Sequence, residues 1–127
     1  MKPMQPDLAG MVESYFAAVD RQDLEGTLAF FVPDASFTIA TFDVAYRGRD
    51  GEIRGMFERL FERYERIWHG NFEHVVEAPG RIATRFDVEN RSADGQVYRK
   101  HNANFFLLKE GKFSVVQVYM SGDNALR

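Results

Sequence analysis

A chain of 127 residues, 45% apolar and 28% charged, is sized and composed for one globular domain with a closed hydrophobic core, spanning 1–127. Its formal charge of −3, with no long basic run, argues against nucleic acid as a partner, and no apolar run approaches the ~20 residues that span a membrane. The sequence contains no cysteine, which excludes disulfides, thiolate metal sites and cysteine nucleophiles. Met1 to Gly10 hold two prolines and an aspartate rather than a basic stretch followed by an apolar one, so no signal peptide is expected and a cytoplasmic address is the expectation.

Leu8, Met11, Val12, Tyr15, Phe16 and Val19 recur at spacings of three and four, which predicts a helix with one apolar face. Pro6 and Asp7 suit its first turn. Asp23 can cap a short second helix carrying Leu24, Leu28 and Phe31, which Pro33 stops. Ala35, Phe37 and Ile39 alternate with polar residues and predict a strand. After an irregular stretch from Thr41 to Arg49, Asp50 is the expected cap of a third helix with Ile53, Phe57, Leu60, Phe61, Tyr64 and Trp68 as its buried stripe. From Gly70 the period changes to two, and Pro79-Gly80, Asp94-Gly95 and Glu110-Gly111 separate four strands of an antiparallel meander.

Pairing Leu108 with Phe113 across the last turn sets a register by counting back. His101, Ala103 and Phe105 then share one face with Val116, Val118 and Met120. Asn102, Asn104 and Phe106 share the other with Val115, Gln117 and Tyr119. Both faces are semi-apolar, so both are expected to be covered.

Tyr15-Phe16-Ala17-Ala18-Val19, Asp23-Leu24-Glu25-Gly26 and Phe30 to Ala35 resemble the opening of the ketosteroid isomerase and SnoaL-like branches of the nuclear transport factor 2-like superfamily. Tyr46-Arg47-Gly48 and the run from Gly111 to Met120 extend the resemblance over nearly the whole chain. It implies an α+β fold: a cone-like, curved antiparallel sheet wrapped around three N-terminal helices, with an internal apolar pocket. That fold would direct Tyr15, Phe37, Ile39, Phe86, Val88, Ala103, Phe105, Val116 and Met120 inward, with Trp68 near the rim. Tyr15 matches the isomerases' hydrogen-bonding tyrosine. Their general base and second oxyanion donor match Ile39 and Ala103, which cannot move protons, so the steroid isomerase mechanism is contradicted.

His101, on the face assigned to the pocket, is the candidate acid/base, with Tyr15 polarising a ligand oxygen. His69 and His74, five apart, lack the converging partners of a metal site, so no metal and no cofactor is expected. The expected ligand is a small apolar or polycyclic molecule, handled by isomerisation, dehydration or cyclisation, or bound by a non-catalytic sensing module. A protein-interaction domain is the third reading. Self-association is expected through the face of Asn102, Asn104, Phe106, Val115, Gln117 and Tyr119.

Overall fold

Asp7 opens the first helix, α1 (Leu8–Asp20), by accepting the Gly10 backbone N–H at 2.8 Å. The same device recurs at α2 (Leu24–Leu28), where Asp23 accepts from Gly26 at 2.9 Å, as its sequence position predicts. The computed structural model describes residues 7–127, so Pro6 lies outside the described residues. α2 ends sooner than expected, and Phe31 and Val32 already belong to β1 (Phe31–Ile39). Pro33 therefore sits inside a strand, at a register irregularity between Phe31 and Ser36 where a missing N–H is tolerated.

β2 (Val44–Arg47) pairs antiparallel with β1 and leads through a wide turn, Gly48–Ile53, into α3 (Arg54–Arg63). Asp50 is not the cap: its carboxylate accepts from the Arg49 guanidinium at 3.0 Å, while Glu52 takes the Arg47 N–H at 2.9 Å. α3 is shorter than its apolar stripe suggests, because Tyr64 is already extended at φ −117°, ψ 131°. Trp68 lies on β3 (Arg66–Glu77), where exposed Arg66 and Trp68 flank buried Ile67. The four-residue spacing of Tyr64 and Trp68 imitates a helix but arises across a helix–strand junction. Trp68 lies flat over Gly70, where an added Cβ would fall 2.1 Å from the indole.

β4 (Arg81–Arg91), β5 (Val97–Lys109) and β6 (Lys112–Met120) complete a six-stranded sheet in the order β2-β1-β6-β5-β4-β3. The three expected turns fall between these strands. Gly95 and Gly111 adopt φ of 87° and 77°, a region costly for residues with a Cβ. β1 and β6 run parallel, so the sheet is mixed rather than wholly antiparallel. The sheet curves around the helices as an unclosed cone, with α1 lying along β3.

Tyr15, Phe31, Phe37, Phe57, Phe86 and Phe113 are fully buried in the space between sheet and helices. Each such side chain contributes about 1.5–3 kcal/mol of hydrophobic stabilisation. Among the described residues, no helix is long and apolar enough to cross a membrane.

The last hairpin departs from the expected register at one residue. Leu108 does pair with Phe113, but Leu107 pairs with Val115, so Ser114 is an extra residue in β6. Its hydroxyl donates to the Leu107 carbonyl at 3.0 Å, which fixes the bulge. Beyond it, Phe106 faces Val116, Asn104 faces Val118 and Asn102 faces Met120. One inserted residue exchanges the faces of β5 relative to β6. Phe106, Asn104 and Asn102 therefore point inward and are buried, whereas His101, Ala103 and Phe105 point out.

Candidate functional site

The sequence reading brings Tyr15 and His101 together, and the structure places them on opposite sides of the sheet. His101 is solvent-exposed and its Nδ1 lies 2.7 Å from Asp87, another outward residue. Tyr15 is enclosed by Phe16, Phe30, Phe31, Phe57, Phe106 and Phe113, with ring centroids 4.9–6.4 Å away. Burial pushes its phenol far above the ordinary value, so it stays protonated.

Phe37, Ile39, Phe86, Val88, Val116 and Met120 do face the interior, where they pack as core. Ala103 and Phe105 belong to the outer face, with Phe105 half-exposed beside Tyr119. Trp68 is also on the outside, beside a surface cleft it shares with Arg66, Glu89 and Arg91. The position at which the isomerase resemblance puts a second oxyanion donor is thus displaced. Asn102 and Asn104, one residue either side of Ala103, occupy the inner face instead.

The interior holds its own acid–base pair. Asp20 ends α1 one helical turn beyond Phe16, so it projects from the apolar face of the helix toward β3. One of its carboxylate oxygens accepts the backbone N–H of His69 at 3.0 Å, and the other lies 2.6 Å from the same residue's Nδ1. The His69 side chain is 11% exposed and that of Asp20 23%. An ionised carboxylate only accepts, so Nδ1 carries a proton, and in the neutral imidazole this leaves the lone pair on Nε2. No described residue bonds to that Nε2. Phe16 stacks on the ring at 4.6 Å, and Phe86 lies 5.6 Å away.

Five residues along β3, His74 makes a parallel contact with different consequences. Its Nε2 meets Glu13 of α1 and its Nδ1 meets the Thr84 hydroxyl, both at 2.8 Å. Both nitrogens are engaged, so His74 holds α1 on the sheet and has no lone pair for a ligand. The rings of His69, Phe16, Phe72 and His74 form a continuous stack along this seam.

One and two strands from this seam, on the same inner face of the sheet, are the amides of β4 and β5. Asn90, Asn102 and Asn104 are buried on the inner face, and none of their carbonyl oxygens accepts a hydrogen bond from a described residue. Buried amide oxygens almost always find a partner, so this strip is suited to a ligand's hydroxyl or amide. Lys100, one step toward the wide end from Asn102, pairs with Val88, which pairs in turn with His69, and the three form one row across the sheet. Among the described residues, no three or more His, Asp and Glu side chains converge as a metal site.

His69 was legible as a histidine but not as an inward one, since the sequence reading puts it just past a helix. The available signal is Asp20, a carboxylate four residues from Phe16 on an otherwise apolar helix face.

The SnoaL-like domain family model matches residues 12–116. Among solved structures, a candidate polyketide cyclase from Xanthomonas campestris pv. campestris superposes with a TM-score of 0.78 at 21% identity, over 87% of each chain. A second candidate polyketide cyclase, from Pseudomonas putida, gives 0.77 at 24% identity over 86% of this chain and 87% of that one. A candidate SnoaL-like polyketide cyclase from Shewanella denitrificans gives 0.81 at 12% identity over 92% of each chain. At these identities the likeness is one of fold. Comparison with curated proteins found no match.

Proposed function

Because the chain belongs to the SnoaL-like domain family, we propose that it is a cofactor-independent acid–base enzyme acting on a small, largely apolar carbonyl compound held in the cone. The single observation that carries this is the Asp20–His69 couple, inward-facing and largely shielded from water, with Nε2 free. His69 removes a proton from carbon next to the ligand's carbonyl, and Asp20 holds the ring in the required tautomer and offsets the imidazolium charge. Asn102 and Asn104, two strands away on the same inner face, offer side-chain N–H groups to the oxygen on which negative charge develops and carbonyl oxygens to a hydroxyl of the ligand. Proton abstraction of this kind starts isomerisations, dehydrations and ring closures alike.

The test is hydrogen–deuterium exchange. A panel of small aryl ketones incubated in heavy water with the protein should lose α-proton NMR signal, and His69→Gln should remove that exchange. Equal exchange by both proteins overturns the reading. Ligand binding without exchange makes the chain a binding module instead.

A second reading concerns assembly. Phe105, Leu107 and Tyr119 are exposed at 50%, 39% and 46% on one outer face, beside Val115 and Gln117. A cleft of about 390 Å³ lies among Phe105, Leu107, Val115 and Gln117, reaching Val75. Asn102, Asn104 and Phe106 are inside and cannot belong to such a surface. The corrected face of Phe105, Leu107, Val115, Gln117 and Tyr119 is the one proposed to meet its own copy about a two-fold axis. Light scattering should give a mass of two chains, and Phe105→Arg should halve it. A single-chain mass for the unmodified protein overturns the proposal.

A further inference from the structure

Residues 121–127 fold back against β2, α3 and β5. Two cations hold them. Lys100 Nζ donates to the carbonyls of Ser121, at 2.8 Å, and Asp123. Arg63, at the end of α3, donates to the Ala125 carbonyl and to the main-chain oxygen of Arg127. Tyr46 adds a bond to the Leu126 carbonyl at 3.1 Å. Between this segment, α3 and the β4–β5 turn lies a cleft of about 450 Å³, which Arg63, Arg99, Lys100 and Arg127 all line.

Lys100 sets this cleft apart from an ordinary surface. The residue is 6% exposed, its stem lies on the inner face, and its ammonium reaches the cleft. Neither Lys100 nor Arg63 is in an ion pair with a side-chain carboxylate among the described residues. The hydrogen-bond partners of these two cations are main-chain oxygens, in a chain whose net charge is negative. Burial accordingly holds the Lys100 ammonium below its ordinary pKa, against the opposing pull of Asp123.

We infer that this cleft takes the carboxylate of a small organic acid, with Lys100 as its principal anchor and the apolar body of the acid directed into the cone. This rests on the reading of His69 as the base and names the substrate class for that same interior. A carboxylate offers the ammonium a full opposite charge that the neutral Ser121 and Asp123 carbonyls lack, so an acid can compete with them for Nζ. Lys100 and His69 share a row two strands apart, about 10 Å at the usual strand spacing. An acid anchored at Lys100 therefore brings a carbon several bonds along its chain to Nε2 of His69.

The probes are 4-phenylbutyrate and 4-phenylbutanol, which share a body and differ in the head group. Titration calorimetry on the full chain should show the acid binding at least about tenfold more tightly than the alcohol. Added salt should erode that preference, and the acid should shift the amide NMR signals of Gly122 and Asp123. Lys100→Met should abolish the preference, and Lys100→Arg should retain it. Equal affinity for acid and alcohol, unshifted Gly122 and Asp123 signals, or a preference surviving in Lys100→Met overturns the inference. Failure of the acid to bind at millimolar concentration also overturns it, and heavy-water exchange by His69 then judges the base separately. The preference within the unmodified protein decides the matter even if a variant does not fold.

Discussion

Two histidine–aspartate pairs of nearly identical geometry sit on opposite sides of one sheet. In both, imidazole Nδ1 meets a carboxylate oxygen, at 2.6 Å for His69–Asp20 and 2.7 Å for His101–Asp87. The side chains of the first pair are 11% and 23% exposed, those of the second 81% and 39%. Water screens the outer pair, whose two rings of solvation compete with the contact, and exposed pairs of this kind add little to stability. The inner pair sits beside the rings of Phe16 and Phe86, where the same contact fixes a tautomer and leaves Nε2 without a partner among the described residues. Distance alone does not distinguish a catalytic couple from a surface one. Surroundings do.

The largest expected contrast is therefore in rate. His69→Gln should lower α-proton exchange about 10²–10⁴-fold, whereas His101→Gln should leave it unchanged. A loss at His101 comparable with that at His69 would erase the distinction.

Stability should separate the pairs next. Asp20→Ala removes the acceptor of both the His69 ring and its backbone N–H, and should cost about 1–3 kcal/mol in urea unfolding. Asp87→Ala should lower the urea midpoint by much less than Asp20→Ala does.

A smaller effect isolates the latch at the other end of the seam. Thr84→Val leaves Nδ1 of His74 without its hydroxyl partner and should cost about 1 kcal/mol while exchange at His69 persists. Loss of exchange in this variant would mean that His74, not His69, is the working ring.

The smallest concerns acid. The Asn71 amide, then His101, holds the Asp87 carboxyl below its usual pKa. The folded chain therefore binds fewer protons there than the unfolded chain does, so the contribution is complete above the ordinary aspartate pKa. It fades as pH falls through the lowered value. Unfolding midpoints of the unmodified protein and Asp87→Asn should converge over that acid window, and parallel curves would refute the assignment.

The helices and the turns at Pro79-Gly80, Asp94-Gly95 and Glu110-Gly111 were legible because periodicity and turn chemistry are local, whereas the α+β cone followed from the family resemblance. Most core residues followed from the same alternation. What could not be read was the side on which β5 turns its odd-numbered residues. Phe113, Ser114, Val115 and Val116 fit either register, and only the Ser114 bond to the Leu107 carbonyl distinguishes them. The Asp20–His69 couple joins residues 49 positions apart, a contact no local pattern encodes. Lys100 was unmarked for the same reason: its burial depends on the segment that folds back over it.

Ser114 gives the sheet something like a reading frame. Residues added or removed in pairs would leave each strand's inner and outer positions in phase, whereas one residue lost at 114 would move every later pairing out of phase. Asn102 and Asn104 would then exchange places with His101, Ala103 and Phe105, carrying the interior amides to the surface and an exposed histidine inward. Among SnoaL-like chains aligned by sequence alone, a gap of one position near the start of the final strand therefore outweighs many substitutions. It decides which residues of the preceding strand two such proteins have in common.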